Sequence, residues 1–215
     1  MTKAVERLVS IPVDHVCIEG MLELPENAQG LVLFAHGSGS SRHSRRNNYV
    51  AKVLRDADIG TLLMDLLTPV EDLDYEARFD IRLLTSRLLA ATNWIESEKD
   101  IGTLPIGYFG ASTGAAAALQ AAARTNIVRA VVSRGGRPDL AGADDLKRVE
   151  CPTLLLVGGE DDVVIQLNNT AYDLMHCLKD IVIVPGATHL FEEPGTLEEV
   201  ARQAALWFGR YLQPD

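Results

Sequence analysis

Gly110-Ala111-Ser112-Thr113-Gly114 is the stretch that decides the fold of this chain. The apolar run from Pro105 to Phe109 precedes it and predicts a buried strand, and the alanine-rich run from Ala115 to Ala123 follows it and predicts a helix. A strand, a G-x-S-x-G turn and a helix in this order are typical of a nucleophile elbow, which lifts a strained serine above the free N–H groups of a helix N-terminus. An ordinary glycine- and serine-rich turn is the alternative.

Strands and helices alternate on both sides of this turn. A strand pair is predicted over residues 5–11 and 16–24, further strands over 31–35, 61–67, 105–109, 129–133, 152–157 and 180–184, and helices over 47–57, 76–98, 115–123, 143–149, 166–178 and 196–212. This alternation predicts an α/β fold, with one central, mainly parallel sheet and helices on both faces. Such a sheet binds ligands beyond the C-terminal ends of its strands.

Length and charge bound the class of protein. The 215 residues show no repeat or linker, so we expect a single domain over residues 1–215 with an ordinary buried core. The formal net charge of -10 argues against nucleic acid and anionic membranes as partners. No stretch approaches the ~18 apolar residues of a spanning helix, and the N-terminus lacks the apolar region of a signal peptide, which predicts a cytoplasmic protein.

The three cysteines are odd in number and widely spaced, without a C-x-x-C pair. Cys17 and Cys151 lie in apolar, strand-like surroundings, so we expect buried and inert thiols there. No metal site is predicted from the cysteines.

Further loops that follow predicted strands carry groups able to activate Ser112. A serine hydroxyl is a weak nucleophile at neutral pH and needs a base, and a carboxylate must hold that base in the correct tautomer. His189 follows the last strand in a loop with small neighbours, and Asp161 follows the strand over 152–157. The order Ser112, Asp161, His189 matches the order of a Ser-His-Asp hydrolase built on an α/β sheet.

The acid must be chosen among three adjacent carboxylates, Glu160, Asp161 and Asp162. A G-x-x-D-x-x-V pattern runs from Gly158 to Val164 if Asp161 is the acid. If the pattern is shifted by one residue, it places Gly159, Asp162 and Ile165 at its fixed positions, which is a poorer match. Glu160 is expected to be solvated.

Stabilisation of the charge that develops on a substrate oxygen needs two donors. Thr113 N–H follows the nucleophile and is one candidate, and Ser38 N–H is the other. Ser38 lies in the loop His36–Ser41, which ends the strand over 31–35. We expect His36 to brace this loop by hydrogen bonding and not to act as the base. A tight turn without a catalytic role is the alternative for this loop.

Basic side chains gather near the same predicted edge of the sheet. They are Arg42, Arg45, Arg46, Arg134 and Arg137. Arg42 and Arg137 are the candidate substrate-binding residues, because a guanidinium group binds a carboxylate or phosphate bidentately. The alternative is that these groups pair with nearby acids, such as Asp139 or Asp72, on a solvated surface.

These motifs together resemble the α/β-hydrolase superfamily and, more narrowly, the small enzymes of the dienelactone hydrolase family. The residues that carry the resemblance are His36–Ser41, Gly110–Gly114, Gly158–Asp161 and Gly186–Phe191. The resemblance implies little or no cap domain, a triad of Ser112, Asp161 and His189, and neither a metal nor an organic cofactor. Dienelactone hydrolases proper have a cysteine at the nucleophile position, whereas this chain has Ser112. That departure points to a general ester or thioester hydrolase for small soluble substrates.

The sequence motifs are compatible with other functions. Gly37-Ser38-Gly39 begins a G-x-G-x-x-G motif, but residue 42 is an arginine, so a dinucleotide site is not favoured. An acyltransferase would use the same triad, and a hydrolase fold kept only for binding is a further alternative. The chain also resembles hydrolase domains fused to phosphoribosyltransferases, although no such second domain is expected within residues 1–215. The sequence does not determine the oligomeric state.

Overall fold

A computed structural model describes residues 4–213 of the chain. Its centre is one eight-stranded sheet with the strand order β1-β2-β4-β3-β5-β6-β7-β8. The strands are β1 Val5–Val13, β2 Val16–Leu24, β3 Gly30–Ala35, β4 Ile59–Met64, β5 Ile106–Ala111, β6 Val128–Arg134, β7 Thr153–Gly158 and β8 Lys179–Val184. The pairs β1–β2 and β2–β4 are antiparallel and the remaining pairs are parallel, as the alternating pattern predicts.

Six α-helices form within residues 4–213, five of them between strands and the sixth after β8. They are α1 Arg45–Asp56, α2 Ile81–Ser97, α3 Thr113–Ala122, α4 Ala143–Arg148, α5 Asp162–Leu174 and α6 Thr196–Tyr211. Short 3₁₀ turns form over Glu71–Leu73, Ala77–Phe79 and Pro138–Ala141. None of the helices in this described range is long and apolar enough to cross a membrane.

Two helices start four or more residues away from the position that the sequence predicts. The helix predicted over 76–98 begins only at Ile81, because the Asp80 carboxylate accepts the N–H of Leu83 at 3.0 Å and caps the helix there. The helix predicted over 166–178 begins at Asp162, directly after the carboxyl end of β7. The earlier start brings the N-terminus of α5 to the edge of the sheet where the site forms.

The sheet has an apolar core on each face. Leu31, Leu33 and Tyr108 pack with residues of α2 to α5 on one face, while Val32 and Phe34 pack with residues of α1 and α6 on the other. Because the middle strands are covered on both faces, their sequences are continuous apolar runs. The alternation of side chains along each strand divides these runs between the two cores.

The β1–β2 hairpin at the edge of the sheet is covered on one face only. Ile18 points into the core, and Cys17, one residue earlier, points the other way and is exposed. The expectation of a buried Cys17 is therefore wrong, because an edge strand of this kind alternates between core and solvent. Cys151 is half-buried, and its burial raises the pKa of the thiol to about 12, which keeps it protonated and unreactive at neutral pH.

Close contacts at two glycines hold α3 against the carboxyl ends of β3 and β5. A Cβ atom on Gly114 would lie 2.1 Å from the carbonyl oxygen of Ala35, and one on Gly110 would lie 2.4 Å from Cα of Ala115. Only glycine fits at either position. The turn at residues 110–114 therefore depends on backbone packing that no larger residue permits.

We expect Gly114→Ala to lower the free energy of unfolding by about 3 kcal/mol or more, because the new methyl group overlaps a backbone carbonyl. Gly209→Ala is the matched control. Gly209 is exposed within α6, nothing lies within 4 Å of an added Cβ there, and alanine should stabilise the helix by about 0.5–1 kcal/mol. Urea unfolding of the two variants and the wild type measures both effects. Equal stability of the two variants would contradict this account of the turn.

Candidate active site

Ser112 lies at the junction of β5 and α3 with φ 50° and ψ -120°, a conformation that costs a non-glycine residue about 1–3 kcal/mol. The end of β6 holds it there. Its N–H donates to the carbonyl oxygen of Arg134 at 3.3 Å, and its own carbonyl accepts the N–H of Arg137 at 3.1 Å. This is the strained strand–turn–helix geometry that the G-x-S-x-G pattern predicts.

His189 and Asp161 are joined by a hydrogen bond. His189 Nδ1 lies 2.7 Å from Oδ2 of Asp161. Because an ionised carboxylate only accepts, Nδ1 carries the proton and Nε2 is left free to accept one. Asp162 is exposed in the first turn of α5 and Glu160 is exposed as well, so the structure brings Asp161, of the three adjacent acids, to the histidine.

Backbone contacts dock the loop of His189 onto the end of β7. Glu160 N–H donates to the carbonyl oxygen of Ala187 at 3.0 Å. A Cβ atom on Gly158 would lie 2.4 Å from that same carbonyl. The acid and the histidine are thus positioned by two adjacent parallel strands, β7 and β8, whose loops touch through a glycine.

Ser112 and His189 line one cavity of about 240 Å³. Gly37 and Ser38 also line it, and a Cβ atom on Gly37 would lie only 3.1 Å from Cβ of Ser112. The Ser112 hydroxyl forms no hydrogen bond with His189 in this structure. Three loops from β3, β5 and β8 therefore meet at a single cavity, as parallel strands require.

The two predicted oxyanion donors lie side by side. Ser38 N–H donates to the hydroxyl oxygen of Thr113 at 2.9 Å, so this donor already has an acceptor. Thr113 N–H lies in the first turn of α3, where the backbone has no partner within the helix. An oxyanion could use Ser38 N–H only by sharing it with, or displacing, the Thr113 hydroxyl.

His36 ties two loops together beside this cavity. Its Nδ1 lies 2.9 Å from the carbonyl oxygen of Gly37, and its Nε2 accepts the N–H of Leu66 at 3.1 Å. Since a carbonyl only accepts, the proton is on Nδ1 and Nε2 is bare. Burial lowers the pKa of His36 below 6.5 and favours this neutral form. His36 is a brace, as expected, and not the partner of Ser112.

In the structure, Arg42 and Arg137, the candidate substrate-binding residues, are both paired with acids. Arg42 forms ion pairs with Asp65 and with Glu19, the latter at 2.6 Å. Arg137 binds Asp139 bidentately at 2.9 and 2.7 Å, which raises the pKa of its guanidinium group. Neither arginine is among the described residues that line the cavity. Pairing with nearby acids, the alternative considered for these groups, is what the structure shows.

Two other arginines line the cavity instead, Arg46 and Arg134. Arg134 is 7% exposed, and the Nε and Nη1 atoms of its side chain are buried without a hydrogen-bond partner among residues 4–213. Desolvation, together with the charge of Arg46, lowers the pKa of its guanidinium group to about 10. A signal for Arg134 was present in the sequence, since it ends a buried apolar strand, and charged residues are rarely fully buried unless they are paired.

Comparison with known proteins agrees with this fold. The model of the dienelactone hydrolase family matches residues 57–213. The chain belongs to the dienelactone hydrolase family. A dienelactone hydrolase from Anabaena variabilis is 53% identical, with a TM-score of 0.94 over 98% of this chain and 99% of that one. Est1E from Butyrivibrio proteoclasticus is 17% identical with a TM-score of 0.80, over 94% of this chain and 98% of that one, and shares the fold.

Curated relatives of this family member are longer than the chain itself. Proteins named "Putative phosphoribosyl transferase" from two strains of Mycobacterium tuberculosis are 57% identical over 205 residues. The match covers 95% of this chain and 46% of each relative, so the chain spans about half of their length. Within residues 4–213, no group of three or more His, Cys, Asp or Glu side chains is arranged to hold a metal ion.

The lowered pKa of His36 predicts a pH-dependent stability. Between the pKa of His36 in the folded protein and about 6.5, the unfolded chain binds more protons than the folded protein does. The contribution of neutral His36 to the free energy of unfolding is therefore complete above pH 6.5 and is lost as the pH falls. We expect His36→Gln to be less stable than the wild type at pH 7.5. Between pH 7.5 and 5 the free energy of unfolding of the variant should fall less than that of the wild type. The slopes of the two free energies against pH should differ by at most about 1.4 kcal/mol per pH unit.

Urea unfolding at pH 7.5, 6 and 5 measures this dependence. His176→Gln is the control, because His176 is exposed and its loss should leave the slope unchanged. Parallel pH profiles for His36→Gln and the wild type would show that His36 does not carry the effect.

Proposed function

We propose that the chain is a serine esterase that hydrolyses small carboxylic esters or thioesters through Ser112, His189 and Asp161. The observation that carries the proposal is the 2.7 Å hydrogen bond between Asp161 and His189 at the wall of the cavity that Ser112 also lines. A serine, a base and an acid have no common purpose in a binding module. The strain stored at Ser112 adds support, because such conformations cluster at functional sites.

In the proposed reaction, His189 Nε2 takes the proton of the Ser112 hydroxyl as its oxygen attacks the ester carbonyl carbon. Asp161 keeps Nδ1 protonated and stabilises the imidazolium that forms. The carbonyl π bond breaks and its electron pair moves to the oxygen, which faces the N–H groups of Thr113 and Ser38. The tetrahedral species then expels the alcohol or thiol, which receives the proton from His189. Water repeats the sequence on the acyl-enzyme and releases the carboxylic acid.

The hydrogen bond between Ser38 N–H and the Thr113 hydroxyl affects how the site stabilises the charge that develops on the substrate oxygen. With that donor already engaged, the resting site offers one free backbone donor, Thr113 N–H, and one that the side chain of Thr113 covers. We propose that the developing charge on the substrate oxygen competes with the hydroxyl for Ser38 N–H, because hydrogen bonds to charged groups are about twice as strong as neutral ones.

The dimensions of the cavity favour small substrates. Its volume of about 240 Å³ is below the ~300–1,000 Å³ of pockets that hold drug-sized ligands. Residues 68–80, which contain two short 3₁₀ turns, are the segment that most resembles a lid. The side chain of Arg78 places this segment beside the loop that contains Gly39. Short acyl groups should therefore be preferred to long aliphatic chains.

A fluorophosphonate reagent tests the nucleophile directly. We expect intact mass spectrometry to show a single adduct on the wild type and none on Ser112→Ala, because Ser112 is the serine that we propose is activated by His189. Circular dichroism should first show that the wild type and Ser112→Ala are folded to the same extent. The absence of an adduct on folded wild type would contradict a working triad, and a binding role for the fold would then take its place.

Replacement of neighbouring acids separates the role of Asp161 from a general charge effect. We expect Asp161→Asn to lower kcat/KM for 4-nitrophenyl acetate by about 10³–10⁴-fold, because the amide no longer holds the required tautomer of His189. Asp162→Asn removes the same charge one residue away and should change kcat/KM by no more than about twofold. Comparable losses in the two variants would refute the assignment of the acid, as would a large loss in Asp162→Asn alone.

A further inference from the structure

The loop of residues 134–137, which follows β6, contacts both Ser112 and His189. Two backbone hydrogen bonds join it to Ser112, one through the N–H of the serine at 3.3 Å and one through its carbonyl oxygen at 3.1 Å. On the side of the histidine, a Cβ atom on Gly135 would lie 3.1 Å from the carbonyl oxygen of His189 and 3.6 Å from Cε1 of its ring. We call this segment the support loop, because the nucleophile and the base both rest on it.

Two hydrogen bonds fix the support loop to neighbouring elements. Gly135 N–H donates to the carbonyl oxygen of Leu156 in β7 at 2.8 Å. The other bond comes from a side chain, since Nδ2 of Asn168 in α5 donates to the carbonyl oxygen of Gly136 at 3.0 Å. Asn168 is fully buried, and its Nδ2 also donates to the carbonyl oxygen of Val164 at 2.8 Å. Both N–H donors of the amide are thereby used, and the second bond fixes the direction of the first.

The centre of the support loop has no side chains of its own. Gly135 has φ 50°, and a Cβ atom on Gly136 would lie 2.0 Å from Oγ of Ser133 and 2.7 Å from Cβ of Ala115 in α3. Close packing therefore requires glycine at residue 136. Two successive glycines have the most conformational freedom of any dipeptide, so the position of this backbone depends on the groups that bind it. Asn168 is the side chain that does so from α5.

We propose that Asn168 is a positioning residue, which holds the support loop where Ser112 and His189 face the same cavity. This inference rests on the proposed esterase function of Ser112. The Ser112 hydroxyl and the His189 ring are not joined by a hydrogen bond, so their separation is set by the elements that both contact. A displacement of about 1 Å between reacting groups can lower a rate by about 10²-fold, even when its origin is remote from the chemistry.

Replacement of Asn168 by leucine removes the donor at nearly constant volume. We expect kcat and kcat/KM of Asn168→Leu for 4-nitrophenyl acetate to fall by the same factor, about 10- to 100-fold, with KM nearly unchanged. The walls of the cavity remain in this variant, whereas the alignment of the nucleophile and the base is lost. A change confined to KM would contradict a positioning role.

Gln120→Leu is the matched control for the loss of a buried amide. Gln120 lies buried in α3, and its Nε2 donates to the carbonyl oxygen of Ala141, four residues beyond the support loop, at 3.1 Å. Its Oε1, like Oδ1 of Asn168, is buried without a hydrogen-bond partner within residues 4–213. We expect both variants to be destabilised towards urea, but Gln120→Leu to keep kcat within about twofold of the wild type. Equal losses of kcat in the two variants would overturn the assignment.

A second pair of variants tests the support loop where Asn168→Leu does not fold. Gly135→Ala adds a methyl group against His189, and Gly142→Ala adds one at φ 86° with nothing within 4 Å. Both carry the strain of an alanine at positive φ, so they are matched in that respect. We expect kcat to fall by about 10-fold or more in Gly135→Ala and to stay within about twofold in Gly142→Ala. An unchanged kcat in folded Gly135→Ala would show that the loop does not position the base.

An NMR measurement keeps this inference separate from the catalytic proposal. In protein labelled with ¹³C-histidine, the Cε1–H signal of His189, assigned by its loss in His189→Gln, reports the surroundings of the ring without any substrate. We expect this signal to shift in Asn168→Leu and Gly135→Ala and to stay in place in Gln120→Leu and Gly142→Ala. Unshifted signals in the first two variants would refute the role of the loop even if the esterase activity is confirmed. Shifted signals in a protein without esterase activity would support the loop and refute only the catalytic proposal.

Discussion

The close approach of α3 to the carboxyl end of β3 is the constraint on which the rest of the structure depends. Gly114 lies so near the carbonyl oxygen of Ala35 that an added methyl group would overlap it. The contact places the first turn of α3 beneath the loop of Gly37, and it leaves Ser112 at a positive φ with its side chain toward the cavity. Packing of two apolar cores over a largely parallel sheet supplies the free energy that holds this strained turn in place.

The electrostatics of the site follow from which charges find partners. Arg42 and Arg137 lie on half-exposed loops, where acids from neighbouring segments reach them, so their charge is compensated within the chain. Arg134 ends a strand that is buried between apolar neighbours, and no acid within residues 4–213 pairs with it. His36 is likewise buried, but it loses its proton and remains neutral, a response that an arginine does not have at physiological pH. Among the described residues that line the cavity, Arg134 is therefore the cation that no carboxylate neutralises.

Much of the fold could be predicted, because parallel strands covered on both faces are continuous apolar runs and turns are marked by glycine. The pairing of Asp161 with His189 also agrees with the spacing from Gly158. The expectation for Cys17 was wrong, since an apolar neighbourhood in sequence does not show which face of an edge strand is covered. The engagement of Ser38 N–H by the Thr113 hydroxyl was equally out of reach, because the two residues are 75 positions apart.

By itself, the sequence determined the class of fold, the strand–turn–helix at Ser112 and the order of the candidate acid and base, because each of these is encoded in local periodicity or in a short glycine pattern. Only the tertiary structure decided how the arginines are used. Arg42, Arg46, Arg134 and Arg137 are equivalent as letters in the sequence, and each could meet an acid or a substrate. Their roles depend on which side chains come within about 4 Å, and for Arg42, Arg46 and Arg134 that is set by the packing of the sheet and its loops.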